Sequence, residues 1–252
     1  MFLALDIGNS ETTIGVFDEA QLVAQWRLET GAARSADQIA AFLYPLFQHH
    51  KIGGPWTAMA ICSVVPTARR GLREFAQRYL GLEAFEVTPR VRLPFALNVH
   101  EPESVGADRL ANAAYAAVHL NLPAIIVDCG TATTFDVITK KGGYEGGVIL
   151  PGVGLSFESL SRKTSQLSLV ESEFPRNVIG KSTKECIQAG ILYGYCDQIN
   201  GLLRRTEEEI GETCSIVLTG GYAPIFEGRI AGARISPTLT LEGIQLLYQY
   251  NF

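Results

Sequence analysis

No stretch of this 252-residue chain approaches the ~18 uninterrupted apolar residues of a membrane-crossing helix. The apolar run at its start is broken by Asp6 and has no basic residues ahead of it, so neither a membrane span nor a signal peptide is expected. The five cysteines (Cys62, Cys129, Cys186, Cys196 and Cys214) are odd in number, widely spaced and never in a C-x-x-C pair. That excludes a disulfide framework and a cysteine zinc site, and a reducing cytoplasm is the simplest home. Basic clusters are also missing. The formal net charge is −5 and no Lys/Arg run exceeds pairs such as Arg69-Arg70 and Arg204-Arg205, so a nucleic-acid partner is not expected. His49-His50 sit together at a helix end while His100 and His119 lie far apart in sequence, which suggests surface or capping roles rather than a metal centre. Two nucleotide signatures fail on spacing. Gly180-Lys181-Ser182 would need a glycine at position 175 to close a P-loop and has Pro175, and Gly152-Val153-Gly154 has Phe157 where a dinucleotide fingerprint needs its third glycine.

What is present is a chain with 47% hydrophobic residues, enough for one large core or two smaller ones. Its opening stretch, Leu3 to Phe17, reads as two apolar strands joined by the polar turn Asp6-Ile7-Gly8-Asn9-Ser10-Glu11-Thr12-Thr13. An ordinary hairpin has this form. So does a phosphate-binding turn, in which Gly8 lets the backbone close on the ligand, exposed N–H groups surround phosphate oxygens and Asp6 faces a Mg²⁺ held by them. The segment Ala124 to Ile138 repeats the pattern, with Asp128, Gly130 and Thr134 matching Asp6, Gly8 and Thr12 at one offset. Two such turns about half a chain apart suggest a duplicated domain whose halves face each other across a cleft. The fold class expected is α/β, with duplicated ribonuclease-H-like (actin-like) domains of mixed sheets flanked by helices and the active site in the cleft. The expected halves are residues 1–118 and 119–252.

Between the repeats, alternation at Leu22, Ala24, Trp26 and Leu28 predicts a half-buried strand, Ser35 an N-capped helix, and Ala58 to Val65 a buried parallel strand. An Ala-rich helix follows Gly106-Ala107-Asp108-Arg109. Asp108 and Arg109 suit a helix-dipole carboxylate beside a surface ion pair; they equally suit a base beside a guanidinium that grips a carboxylate. Further on, Gln188 to Arg205 predicts a long helix with Tyr193 and Tyr195 on different faces, part of it available to a second subunit. The tail Leu239 to Tyr250 predicts a helix closing the second half, and Gly220-Gly221 a loop over which a purine could lie.

The order of motifs resembles the type III pantothenate kinases. The likeness rests on Asp6-Ile7-Gly8-Asn9-Ser10, Gly106-Ala107-Asp108-Arg109, Asp128-Cys129-Gly130-Thr131-Ala132-Thr133-Thr134, Gly146 to Gly152, Gly180-Lys181-Ser182-Thr183 and Leu239-Thr240-Leu241-Glu242-Gly243, covering nearly the whole chain. The resemblance implies ATP-dependent phosphorylation of the 4′-hydroxyl of pantothenate, the first step toward coenzyme A. It implies that Asp6, Ile7, Gly8, Asn9, Ser10, Glu11, Thr12 and Thr13 contact the ATP phosphates, with Asp6 near Mg²⁺, and that Thr131 also reaches the nucleotide. Gly106, Ala107, Asp108 and Arg109 would line the pantothenate pocket, with Asp108 as proton acceptor and Arg109 on the substrate carboxylate. Asp128 would help bind a monovalent cation, K⁺ or NH₄⁺, and Thr183 would contact substrate, across the interface of a homodimer if the partner chain supplies it. One position departs: Ile235-Ser236-Pro237 stands where relatives commonly carry a histidine. Two other readings stay open, a nucleotide- or metabolite-binding regulator of the same fold and a kinase for another small hydroxyl substrate.

Overall fold

The computed structural model describes residues 1–31, 35–163 and 170–252, and these form two compact units. The first opens with β1 (Phe2–Ile7), β2 (Glu11–Asp18) and β3 (Gln21–Glu29), then α1 (Ala36–His49), β4 (Ala58–Ser63), α2 (Pro66–Phe75), two short strands β5 (Phe85–Glu86) and β6 (Ala96–Leu97), and α3 (Ala107–His119). Its five-stranded sheet runs β3-β2-β1-β4-β5, antiparallel where hairpins connect β1 to β3 and parallel where helices intervene. Odd residues of β1 (Leu3, Leu5, Ile7) pack with Ile39, Leu43, Leu72 and Phe75 of α1 and α2 into one core. Ser35 caps α1 as its sequence predicts: its Oγ accepts from the Gln38 N–H at 3.2 Å and Gln38 Oε1 accepts from the Ser35 N–H at 3.0 Å.

The second unit, His119 to Pro237, repeats the plan with β7 (Ala124–Cys129), β8 (Ala132–Ile138), β9 (Gly143–Pro151), α4 (Val153–Lys163), α5 (Thr183–Ile210), β10 (Ser215–Thr219) and β11 (Ala233–Ile235). Its own strands run β11-β10-β7-β8-β9, the first unit's order and orientations again. Each half is thus a ribonuclease-H-like sheet. The long helix starts five residues ahead of the expected Gln188, because Ser182 and Glu185 form a capping box that the apolar periodicity does not reveal.

The last helix, α6 (Leu239–Asn251), corrects the expectation that the tail closes the second half. It belongs to the first unit, on the sheet face opposite α1 and α2. Small residues decide this. Ala4, Gly15 and Ala60 leave the β1, β2 and β4 face shallow, and a Cβ at Gly15 would fall 2.8 Å from Leu241 Cδ1. Phe2 and Tyr248 then meet with ring centroids 5.1 Å apart, and Gln245 Nε2 donates to the Glu19 carbonyl at 2.6 Å.

Candidate functional site

In the first unit the polar turn sits at the carboxyl end of β1, where strand ends of parallel pairs habitually receive ligands. Asp6 pairs across with Thr13 on β2 and lies beside Cys62 on β4, half-buried and on the sheet face opposite the α1/α2 core. The turn closes with the Gly8 N–H donating to the Glu11 carbonyl at 3.0 Å, leaving Asn9, Ser10 and Glu11 exposed. A Cβ on Gly8 would stand 3.0 Å from that same oxygen, tight enough to favour glycine. The side chains of Ile7 and Thr12 point the other way. Ile7 is buried in the core, and Thr12 Oγ1 is 2.9 Å from Thr30 Oγ1. Beside them lies a cavity of about 240 Å³ walled by Leu5, Ile14, Leu43 and Leu72 together with Asn9, Thr12, Thr30 and Thr67.

The Gly106–Arg109 segment forms the start of α3. The Asp108 carboxylate folds back over the helix end, Oδ1 accepting from the Arg109 N–H at 2.9 Å, as an acidic residue in a first turn does. Burial pushes its pKa above the ordinary carboxylate value of 3.8, against the opposing pull of the Arg109 N–H and guanidinium charge. A Cβ on Gly106 would collide with Asp108 Oδ1, so glycine is what lets the carboxylate occupy this position. A Gly106→Ala variant is therefore expected to keep its circular dichroism spectrum and melting temperature while losing about 10²-fold of any activity that depends on this carboxylate, the scale of a 1 Å misplacement. Activity within twofold of wild type would sink that account.

Gly106 and Ala107 line a cavity of about 490 Å³ with Ser63, Val64, Arg69, Thr88 and Arg90 among its walls. That volume lies in the roughly 300–1,000 Å³ range of small-molecule sites. Val64 also donates its N–H to the Ile7 carbonyl at 3.2 Å, so the crevice links the start of α3 to the end of β1 and β4. The structure thus brings the Asp6 turn and the Asp108 helix start to one edge of one unit. Arg69, held by the Ser63 carbonyl at 2.9 Å, and Arg90, paired with Glu103 at 3.2 Å, were not singled out in sequence. No spacing rule links arginines on α2 and on a loop after β5.

The second unit carries the other turn at the end of β7. Asp128 pairs with Thr134 on β8 and lies beside Thr219 on β10, so hydroxyl-bearing neighbours flank the carboxylate. Gly220 (φ 89°) follows; a Cβ there would clash with Asp128 Oδ1 and the Cys129 backbone, so close packing on Asp128 accounts for this glycine. The register corrects one match made along the sequence. Asp6 faces Thr13 but Asp128 faces Thr134, and Gly130 donates to Ala132 at 3.1 Å where Gly8 donates to Glu11. The second turn is one residue shorter, so Thr133, not Thr134, stands where Thr12 does.

Thr183 is the exposed first residue of α5, following the Ser182 cap. Tyr193 and Tyr195 do lie on different faces of α5, and both are occupied within the chain. Tyr193 donates to the Pro175 carbonyl at 3.1 Å with its ring against Phe174, and Tyr195 is buried with its ring stacked on Phe226. Among the described residues no three His, Cys, Asp or Glu side chains gather into a metal cluster. The available donors are single carboxylates, the set with which Mg²⁺ is held jointly by protein, water and substrate phosphates.

A model of the type III pantothenate kinase family matches residues 2–205. The type III pantothenate kinase of Streptomyces griseus is 40% identical over 261 residues, covering 100% of this chain and 98% of that protein. That of Salinispora arenicola is 38% identical over 254 residues, covering 100% of both. Among solved structures, the activator of 2-hydroxyisocaproyl-CoA dehydratase from Clostridium difficile, with bound ADPNP, matches at TM-score 0.55 and 11% identity, covering 98% of this chain and 93% of that one. At that identity the likeness speaks for the fold.

Proposed function

The chain belongs to the type III pantothenate kinase family, and from that premise we propose how its residues divide the reaction. The enzyme transfers a phosphoryl group from ATP to pantothenate, in coenzyme A biosynthesis, with a divalent metal. We assign the γ-phosphate side to the Asp6–Thr13 turn. Its N–H groups and the Asn9 and Ser10 side chains hold phosphate oxygens, and the Asp6 carboxylate is the group that would hold Mg²⁺. Held there, Mg²⁺ would supply charge neutralisation to the phosphates.

Asp108 takes the proton of the 4′-hydroxyl as that oxygen attacks phosphorus, and Arg109 holds the pantothenate carboxylate through its planar fork. The observation that carries this assignment is the Asp108 carboxylate itself: desolvated, fixed by the Arg109 N–H at 2.9 Å, and next to a cavity sized for a small substrate. Its raised pKa strengthens it as a base. Formation of 4′-phosphopantothenate from ATP, Mg²⁺, K⁺ and pantothenate tests the reaction; a protein that consumes no ATP in this mixture would return the regulator reading.

We assign the Asp128 turn, with Thr131, to the nucleotide and to a monovalent cation. A carboxylate flanked by Thr134 and Thr219 and by carbonyl oxygens is a suitable oxygen donor set for K⁺ or NH₄⁺. Replacing K⁺ and NH₄⁺ with a bulky organic cation is expected to lower activity at least tenfold, and an unchanged rate overturns this assignment. We further propose a homodimer with Thr183 reaching the partner's substrate. The neighbours Val178 and Ile179 in the second unit are 64% and 75% exposed, apolar side chains that a second copy would cover. Sedimentation at the monomer mass would refute it. We place the enzyme in the cytoplasm, where its five free cysteines stay reduced.

A further inference from the structure

The two turns are anchored from beneath by hydroxyls that come from different places. In the first, Thr30 donates its hydroxyl to the Gly8 carbonyl at 2.8 Å and its N–H to the Ser10 carbonyl at 3.0 Å, and its Oγ1 meets Thr12 Oγ1 at 2.9 Å. In the second, Gly152 takes the place of Thr30, its N–H donating to the Thr131 carbonyl at 3.0 Å. A side chain at 152 is impossible, since its Cβ would lie under 3.0 Å from the backbone oxygens of Gly130 and Thr131. The anchoring hydroxyl must therefore be supplied by another element.

Tyr195, midway along α5 and 3% exposed, supplies it. Its Oη lies 2.6 Å from Thr133 Oγ1 and 2.7 Å from the Pro151 carbonyl. A phenol has one proton and a carbonyl only accepts, so Tyr195 donates to Pro151 while Thr133 donates to Tyr195. Burial pushes the Tyr195 hydroxyl up to about 12, so that proton stays in place throughout the working range of the enzyme. Thr133 is itself fully buried at the place of Thr12, out of a ligand's reach. Pro151 precedes Gly152, whose N–H closes on Thr131, so one phenol ties β8 and β9 to α5 directly under the Asp128–Thr131 turn.

We propose that Tyr195 is the positioning residue of the second turn, fixing the backbone on which ligand binding by Asp128 and Thr131 depends. The proposal rests on the reading that this turn takes a ligand of the reaction. The plain alternative is a satisfied core hydroxyl that contributes stability alone.

Steady-state kinetics on the full-length enzyme separate the two. ATP and K⁺ are each titrated at saturating pantothenate, and melting temperatures are recorded alongside. Asp128→Asn first identifies which constant the turn controls, the KM for ATP or the K⁺ concentration at half activation. Tyr195→Phe is expected to raise that same constant about tenfold, the scale of lost outer-shell support at an ion site, with kcat at saturation within about twofold. Thr133→Val should reproduce the shift, and Thr133→Ser, which keeps the hydroxyl, should restore the wild-type value. Should Tyr195→Phe fail to fold, the Val and Ser pair at 133 carries the same comparison. A lowered melting temperature with both constants unmoved overturns the proposal while the ligand reading stands. If Asp128→Asn also moves neither constant, the ligand reading falls and the proposal with it.

Discussion

An Asp108→Asn enzyme is expected to keep its fold and lose turnover, with kcat down by about 10²–10⁴-fold, the usual worth of a positioned base. Asparagine keeps the Oδ1 acceptor that receives the Arg109 N–H at 2.9 Å, so the start of α3 retains its hydrogen bond. What goes is the group proposed to receive the substrate proton. The pH dependence follows from the same carboxylate. Its pKa in the fold is raised above 3.8 by burial, and the protonated form cannot act as a base. The acid limb of kcat/KM for wild type is therefore expected above the ordinary carboxylate range, with activity falling as pH falls through it, and that limb should vanish from the residual rate of the variant.

Stability moves the opposite way. A carboxyl whose pKa is raised by folding contributes stability below its unfolded pKa and loses it as pH rises through the folded value. Asparagine does not titrate, so at neutral pH the variant is expected to melt no lower than wild type. A variant within tenfold of wild-type kcat, or one that melts much lower at neutral pH, would remove Asp108 from the role of base.

A Gly243→Ala substitution is expected to lower the melting temperature by several degrees and to impair turnover as well. In the interior of α6, alanine gains about 1 kcal/mol of helix propensity over glycine. Here that gain is outweighed. The new Cβ would fall well under 3.0 Å from the Ala111 carbonyl on α3, and backbone cannot swing aside as a side chain can. Overpacking of this kind costs about 1–3 kcal/mol, occasionally more. For a chain of this size each kcal/mol corresponds to roughly 2–4 °C.

The two helices are further joined by Thr240 Oγ1 donating to buried Asn112 Oδ1 at 2.8 Å, so they shift together or lose that bond. Because α3 carries Asp108 at its start, a displaced helix pair also displaces the proposed base, and kcat should fall with the melting temperature. Differential scanning fluorimetry beside the kinase assay checks both, and an unchanged or raised melting temperature would show that the crossing can relax.

How much was readable in sequence varies by element. The hairpin at Asp6, its echo at Asp128 and the capped start of α1 at Ser35 rest on local chemistry: apolar alternation, turn residues and a cap within four positions. The match of Thr134 to Thr12 failed because a linear offset cannot see a turn shortened by one residue, and in a ladder of period two that slip changes which face a side chain occupies. Helical periodicity puts Tyr193 and Tyr195 on different faces of one helix without saying what fills them. Phe174 and Pro175 fill one, and Thr133, Pro151 and Phe226 the other.

By itself, then, the sequence determined the family of this protein and its local elements: two Asp-Gly turns, a carboxylate–guanidinium pair at a helix start, and the ordered motifs that mark the family. All of these are contacts between near neighbours in the chain, or identities that need no partner to be recognised. Only the tertiary structure decided that α6 joins the first unit, that Arg69 and Arg90 line the cavity beside Gly106, and that Tyr195 stands under a turn more than sixty residues before it. Those depend on which faces are shallow enough to accept a helix and on where a buried hydroxyl finds an acceptor, and packing settles both only once the strands have taken their register.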